Sequence, residues 1–96
     1  MSEHYRLEGK TVVPCDLRTW AKSIEGNHHV ADETIGEARV STVFLGLDHS
    51  FGGPVPILFE TMVFGGALDG EQVRYTNWDD AERGHAEMCD RVRVAK

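Results

Sequence analysis

An aspartate and a histidine stand side by side in a loop between two apolar segments of the sequence. Asp48 and His49 open the stretch DHSFGGP, whose glycines and proline predict a loop. An aspartate can orient an imidazole or hold a metal ion, and loops on a rigid scaffold often carry function. In the alternative interpretation, Asp48 caps a turn through backbone N–H groups and His49 is exposed. We keep both residues as candidate ligand-binding residues.

One carboxylate interrupts the apolar segment that follows this loop. Glu60 lies within VPILFETMVF, Val55 to Phe64, and a buried carboxylate would need a partner. If the hairpin closes with Leu47 opposite Val55, Glu60 faces Thr42 across the strands and forms a polar site for an amide or a ribose hydroxyl. A carboxylate on a solvated sheet face is the alternative. In this register the core face carries Val43, Leu45, Ile57 and Phe59.

Arginine and aromatic residues near these segments could contact a nucleotide. Guanidinium groups bind phosphates through two hydrogen bonds, and aromatic faces stack on bases. Phe51 lies in the glycine-rich loop and Arg74 in a later strand, whereas no glycine-rich stretch matches a P-loop or a dinucleotide-binding sequence. The candidate ligand-binding residues are therefore Thr42, Asp48, His49, Phe51, Glu60 and Arg74.

The residue pattern indicates neither nucleophilic nor metal-dependent catalysis. There is no GxSxG sequence, and neither Cys15 nor Cys89 has a neighbour that would activate a thiolate. Five histidines are present, but no HxxxH, HxH or Cys/His cluster is recognised at ligand spacing, so no metal or other cofactor is predicted. We predict a binding protein and not an enzyme. A small hydrolase centred on Asp48, His49 and Glu60 is the enzymatic alternative.

Two short strands and a helix open the predicted fold. The segments on either side of Gly9 predict a hairpin, and Asp16 offers an N-cap. The apolar residues of the helix that follows recur on one stripe, which predicts that this helix packs on the sheet. They are Leu17, Trp20, Ala21 and Ile24.

Four more strand segments precede a second helix. Val40–Leu47 and Val55–Phe64 are rich in β-branched and aromatic residues and predict the central strands. Thr76 is expected to cap the last helix, whose apolar seam includes His85. Short turns between consecutive strands favour antiparallel pairing. The predicted fold is α+β, one domain over residues 1–96 in the order ββ-α-ββββ-α, with a single antiparallel, meander-like sheet of five to six strands and two helices packed on it.

Charge and size narrow the functional classes. The chain has 16 acidic and 10 basic residues, a net charge of −6, so a protein that coats DNA or RNA is not expected. Two cysteines without a CxxC pair, no recognisable signal peptide and no apolar run of about 18 residues predict a cytoplasmic protein. A chain of 96 residues has little room for a deep cleft. We therefore expect a homo-oligomer that binds any sizeable ligand at a subunit interface.

The segment VSTVFLGLDHSFGGPVPILFETMVFGG, residues 40–66, resembles a family of small proteins of unknown function encoded by tailed phages and prophages. The continuation RYTNWDDAERGH, residues 74–85, fits the same family. The resemblance implies a phage setting in a bacterial cytoplasm and transfers no site residue. Small phage proteins of this kind include inhibitors of bacterial defence. We therefore expect capture of a nucleotide-like signalling molecule or, alternatively, direct binding to a host defence protein.

Overall fold

The computed structural model describes residues 4–25, 28–50 and 52–95 of the chain. Within these residues, six strands and two helices follow one another in the predicted order ββ-α-ββββ-α. The strands form a two-stranded and a four-stranded antiparallel sheet. The α+β class is therefore confirmed, whereas the prediction of a single sheet of five to six strands is wrong.

The smaller sheet is an N-terminal hairpin. Strand β1, His4–Glu8, pairs with β2, Thr11–Cys15, through a two-residue connection. The first residue of that connection, Gly9, adopts a φ of 61°, a conformation that glycine reaches without a steric penalty. The predicted hairpin around Gly9 is confirmed.

Helix α1, Leu17–Glu25, lies against β1 of this hairpin and not on the larger sheet as predicted. Asp16 caps it as expected, because its Oδ1 accepts the Thr19 N–H at 2.7 Å. None of the residues of α1 is fully buried, and Leu17 is 61% exposed. The apolar stripe of α1 therefore contributes less to the core than its spacing predicts.

The larger sheet is a meander with the strand order β3-β4-β5-β6. Its strands are β3, His29–Ile35, β4, Ala38–Phe44, β5, Phe59–Phe64, and β6, Gln72–Tyr75. Helix α2, Trp78–Val94, contacts all four of them. Neither helix in the described part of the chain is long and apolar enough to cross a bilayer.

Both central strands are shorter than predicted. Strand β4 ends at Phe44 and not at Leu47, and β5 begins at Phe59 and not at Val55. Proline has no N–H to donate to a ladder, and Pro56 falls within the segment that the pattern assigns to a strand. The loop between the two central strands therefore runs from residue 45 to residue 58.

The register of β4 and β5 differs by one residue from the prediction. Thr42 pairs with Thr61, and Glu60 pairs with Val43. A shift of one residue moves every side chain of a strand to the other face of the sheet. Thr42 is consequently buried on the α2 side, and the predicted pairing of Thr42 with Glu60 is wrong.

The core lies between the larger sheet and α2, with the hairpin closing one end. The first cluster of buried side chains consists of Ala38, Val40, Val63, Met88, Cys89 and Val92. The second cluster consists of Phe44, Leu58, Phe59 and Ala81. Side chains of the hairpin pack against this second cluster.

Helix α2 begins one residue later than its predicted cap implies. Asn77, and not Thr76, is the N-cap, and its Oδ1 accepts the Asp80 N–H at 2.8 Å. The predicted core seam holds for most of its length, because Ala81, His85 and residues beyond them are buried. This helix therefore brings a histidine into the interior.

Candidate binding surface

Helix α2 covers one side of the larger sheet, and no described helix or strand covers the other side. Side chains alternate between the two sides of a strand, so the residues between the core positions point away from α2. We call this side the open face. It carries Asp32, Thr34, Arg39, Val43, Glu60, Met62, Phe64, Gln72 and Arg74, together with Ser41, which is buried.

Two of the predicted ligand-binding residues form an ion pair on the open face. Glu60 Oε2 accepts a hydrogen bond from Arg74 Nε at 3.0 Å and another from the Gln72 side chain. The side chain of Glu60 is 15% exposed and that of Arg74 is 40% exposed. A guanidinium carries five N–H donors, so Arg74 is chemically suited to bind a further carboxylate or a phosphate. This network holds Arg74 against Glu60 and leaves part of its side chain exposed.

A second ion pair lies on the same face, across β3 and β4. Arg39 binds both carboxylate oxygens of Asp32, at 2.9 and 2.5 Å. These hydrogen bonds hold the pKa of the Asp32 carboxyl below its ordinary value. The two-point contact fixes the planes of both groups.

Apolar side chains separate these two polar networks. Val43 and Met62 are half-buried, and Phe64 is 48% exposed although it is a large aromatic residue. We call these residues the apolar strip. The open face thus has an apolar centre with a charged pair on either side.

The Asp48 side chain stabilises the loop in which it lies. Its Oδ1 accepts the N–H of Ser50 at 2.8 Å and that of Ile57 at 3.1 Å. Hydrogen bonding from Ser50, together with that from Ile57, lowers the pKa of Asp48. These contacts match the interpretation of Asp48 as a turn cap.

His49 follows Asp48 and is half-buried. Its Nδ1 lies 2.8 Å from the Leu47 carbonyl oxygen, which can only accept, so Nδ1 carries the proton. Its Nε2 is then the acceptor nitrogen. Of the remaining predicted residues, Thr42 is buried on the α2 side of the sheet and so does not lie on the open face. Phe51 lies outside the described residues.

A second polar group lies beneath α2. Thr42 Oγ1 is 2.6 Å from Thr61 Oγ1 and 2.7 Å from His85 Nδ1. Glu33 and Cys89 lie beside the same histidine, and one potential ligand atom from each of Glu33, His85 and Cys89 lies within 4.8 Å of the other two. Burial lowers the pKa of His85 and raises the pKa of the Cys89 thiol.

The interpretation of the sequence overlooked this group. His85 and Cys89 are four residues apart in the predicted helix, a spacing that places both side chains on one face. That spacing was sufficient to mark a Cys/His pair. The contribution of Glu33 was not visible in the sequence, because it depends on how β3 packs against α2.

A cleft of about 600 Å³ lies at the opposite end of the sheet from the 45–58 loop. It is bounded by the β3–β4 turn, the turn after β5 and the end of α2, and its walls include Gly36, Leu68 and Val92. None of the candidate residues that the structure describes lines this cleft. The predicted loop site and the cleft are therefore separate.

Comparison with known proteins gives no relative of this chain. No family model matches it, and neither a curated protein nor a solved structure matches it. The resemblance to phage proteins therefore stays a prediction, and function must be inferred from the contacts described above.

Proposed function

We propose that this chain is a non-catalytic binding protein that contacts a protein partner through its open face. The observation that carries this proposal is the apolar strip of Val43, Met62 and Phe64 between two ordered ion pairs. Protein interfaces combine an apolar centre with a polar rim and are enriched in Phe, Met and Arg. The open face has this composition.

The shape of the open face favours a protein over a small molecule. Small-molecule sites are concave and enclose most of their ligand, whereas the face of a sheet is broad and shallow. Four strands about 4.8 Å apart and about six residues long offer on the order of 300–400 Å². A standard interface buries about 800 Å² of each partner. The partner must therefore also contact neighbouring surface.

The biological setting is part of the same proposal and is supported by the sequence resemblance alone. We place the protein in the cytoplasm of a phage-infected bacterium, with a host defence protein as its partner. Self-association into the predicted homo-oligomer would compete for the same surface, because an exposed apolar strip can also bind a second copy of the chain.

Photo-crosslinking tests the proposal directly. A photoreactive phenylalanine analogue at position 64 should give one defined adduct in host lysate, and the same analogue at exposed position 87 on α2 should not. An excess of the unlabelled chain should compete for the adduct, whereas Phe64→Asp should not. Equal labelling from both positions, equal competition by Phe64→Asp, or an adduct containing only a second copy of the chain would contradict binding to a host protein.

Capture of a nucleotide-like molecule is the second candidate function. The observation in its favour is that Glu60, Gln72 and Arg74 place a carboxylate, an amide and a guanidinium in one hydrogen-bonded group. A ligand at 100 times its dissociation constant would stabilise the fold by about 2.7 kcal/mol. Thermal unfolding with cyclic and NAD-derived nucleotides should show this shift, and Arg74→Ala should remove it. Turnover of the nucleotide would instead favour the hydrolase alternative.

A further inference from the structure

We propose that Glu33, His85 and Cys89 form a binding site for one Zn²⁺ ion beneath α2. One potential ligand atom from each residue lies within 4.8 Å of the other two. Ligand atoms around a tetrahedral zinc ion stand about 3.3–3.8 Å apart, given metal–ligand distances of about 2.0–2.3 Å. Atoms within 4.8 Å of one another must therefore approach by up to about 1.5 Å to share a single ion.

The backbone positions of these residues favour such a site. His85 and Cys89 are four residues apart on α2, so both project from the same face of a continuous helix. Glu33 lies on β3, which packs against α2, and pairs with Val40 on the helix-facing side of the sheet. Two rigid elements therefore carry the ligands, and no loop has to fold around the ion.

A hydrogen-bond chain orients the histidine for coordination. His85 Nδ1 is 2.7 Å from Thr42 Oγ1, which is 2.6 Å from Thr61 Oγ1. If Nδ1–H donates to Thr42, that hydroxyl can donate onward to Thr61, and Nε2 retains its lone pair. Histidines that bind metals commonly donate their other ring N–H to an oxygen in this way. The network thus leaves Nε2 as the metal-binding nitrogen.

The ligand chemistry selects the class of ion. A thiolate and an imidazole suit zinc and related transition ions, whereas Mg²⁺ and Ca²⁺ require oxygen ligands. An imidazole coordinates a metal ion in its neutral form, through the lone pair of a ring nitrogen. Cys89 loses its S–H proton to solvent as the S–Zn bond forms. The thiolate and the Glu33 carboxylate then balance the two positive charges of the ion.

The site also has an entry path, and its existing ion pair is compatible with a bound ion. The side chain of Glu33 is 43% exposed, so an ion can reach the cluster from solvent. Glu33 binds Arg93 in the absence of metal, and Arg93 has a second carboxylate partner, Asp90, at 3.0 Å. A carboxylate has two oxygens, so Glu33 can bind the ion while it keeps its contact with Arg93.

Titration of the purified chain with Zn²⁺ in a non-coordinating reductant tests the site. We expect one ion per chain, a higher unfolding temperature and, with Co²⁺ in its place, a thiolate-to-cobalt charge-transfer band. Cys89→Ala and Glu33→Gln should each weaken Zn²⁺ binding by about tenfold or more, and Thr42→Val by about 10- to 100-fold. The matched control Cys15→Ala should bind as the unmodified chain does.

Several results would overturn the assignment. These are no Zn²⁺ binding by the unmodified chain at micromolar concentrations, a charge-transfer band that survives Cys89→Ala, or binding that Cys15→Ala removes. If Cys89→Ala does not fold, Glu33→Gln decides the matter, because its half-exposed position tolerates an isosteric change. Unchanged affinity in Glu33→Gln would exclude the carboxylate from the site and contradict the proposal.

Discussion

Thr42 is the residue on which the buried polar group depends. Its hydroxyl bonds both Thr61 and His85 in a region that is otherwise apolar. A buried polar atom that loses its only partner costs more than an exposed hydrogen bond is worth, because it is desolvated without compensation. This explains how a threonine and a histidine are accommodated beneath α2.

Replacing Thr42 by valine should therefore destabilise the protein although the two side chains have the same shape. We expect a loss of about 1–3 kcal/mol in the free energy of unfolding, because Thr61 and His85 are left with unmet hydrogen bonds. Urea denaturation measures this loss. Thr34→Val, at an exposed position of β3, is the matched control and should change stability by less than about 0.5 kcal/mol. Equal effects at both positions would show that the buried network contributes nothing.

Asp48 makes stability depend on pH in the acidic range. Its pKa in the folded protein is lowered from 3.8, mainly because Ser50 donates hydrogen bonds to the carboxylate. Its contribution to the free energy of unfolding is therefore fully present above pH 3.8 and is lost as the pH falls through the lower folded pKa. Asp48→Asn should therefore be less stable than the unmodified chain near neutral pH. The difference should shrink as the pH falls below 3.8 and through the lower folded pKa of Asp48.

Urea denaturation of both chains at a series of pH values measures that difference. Asp16 and Asp32 also have lowered pKa values, so both chains lose stability in acid and only their difference reports on Asp48. A difference that is constant from neutral to acidic pH would show that the carboxylate charge of Asp48 plays no part in holding the loop.

At the scale of single elements, α2 depends on a glycine in its interior. Gly84 is buried, and a Cβ at this position would overlap the ring of Tyr75 from β6. Glycine weakens a helix by about 1 kcal/mol relative to alanine. The close approach of α2 to β6 therefore explains why a residue that is unfavourable for the helix is found there.

Gly84→Ala should destabilise the protein in spite of its better helix propensity. The overlap with Tyr75 should cost about 2–3 kcal/mol, which exceeds the gain of about 1 kcal/mol in helix propensity. Chemical denaturation of a double-mutant cycle with Tyr75→Leu checks the cause, since leucine lacks the ring atoms that the new methyl group would meet. Gly84→Ala should be neutral or stabilising in that background. An equal loss in both backgrounds would point to a cause other than this contact.

At the scale of the whole molecule, a small junction joins the two sheets. The Tyr5 N–H donates to the Gly46 carbonyl oxygen at 2.7 Å, and His4 forms an isolated bridge with Leu47. Gly46 has a φ of 74°, and a Cβ there would lie 2.7 Å from Cδ1 of the Trp20 indole. The hairpin and α1 are therefore attached to the larger sheet through a close backbone contact.

Native-state hydrogen exchange should show different amide protection on the two sides of this junction. Helix α1 has no fully buried residue, whereas β4, β5 and α2 contain most of the buried core. Segments with little buried apolar surface open at lower free energy than the core. We expect amides of α1 and β2 to exchange through a partial opening that leaves β4, β5 and α2 protected. Trp20→Ala should speed exchange in the first group only, and uniform protection across both sheets would contradict this division.

The order of elements could be predicted because its signals are local. Gly9 in a turn, Asp16 before a helix and an apolar seam along α2 act over a few residues, and each is found where expected. The ends of the central strands were less predictable. The regular pairing ends at Phe44 and Phe59, close to Gly46 with its positive φ and to Pro56, although the surrounding residues have strong β propensity.

Local sequence therefore determined the α+β class and the order ββ-α-ββββ-α. It also marked Glu60 and Arg74, which form an ion pair, as candidate site residues. Tertiary structure alone decided the division into two sheets, the register of β4 on β5 and which residues lie beside His85. The physical reason is that a strand changes face with every residue, so a one-residue shift exchanges core and surface. Contacts such as that of Tyr5 with Gly46 likewise join parts of the chain that no local pattern connects.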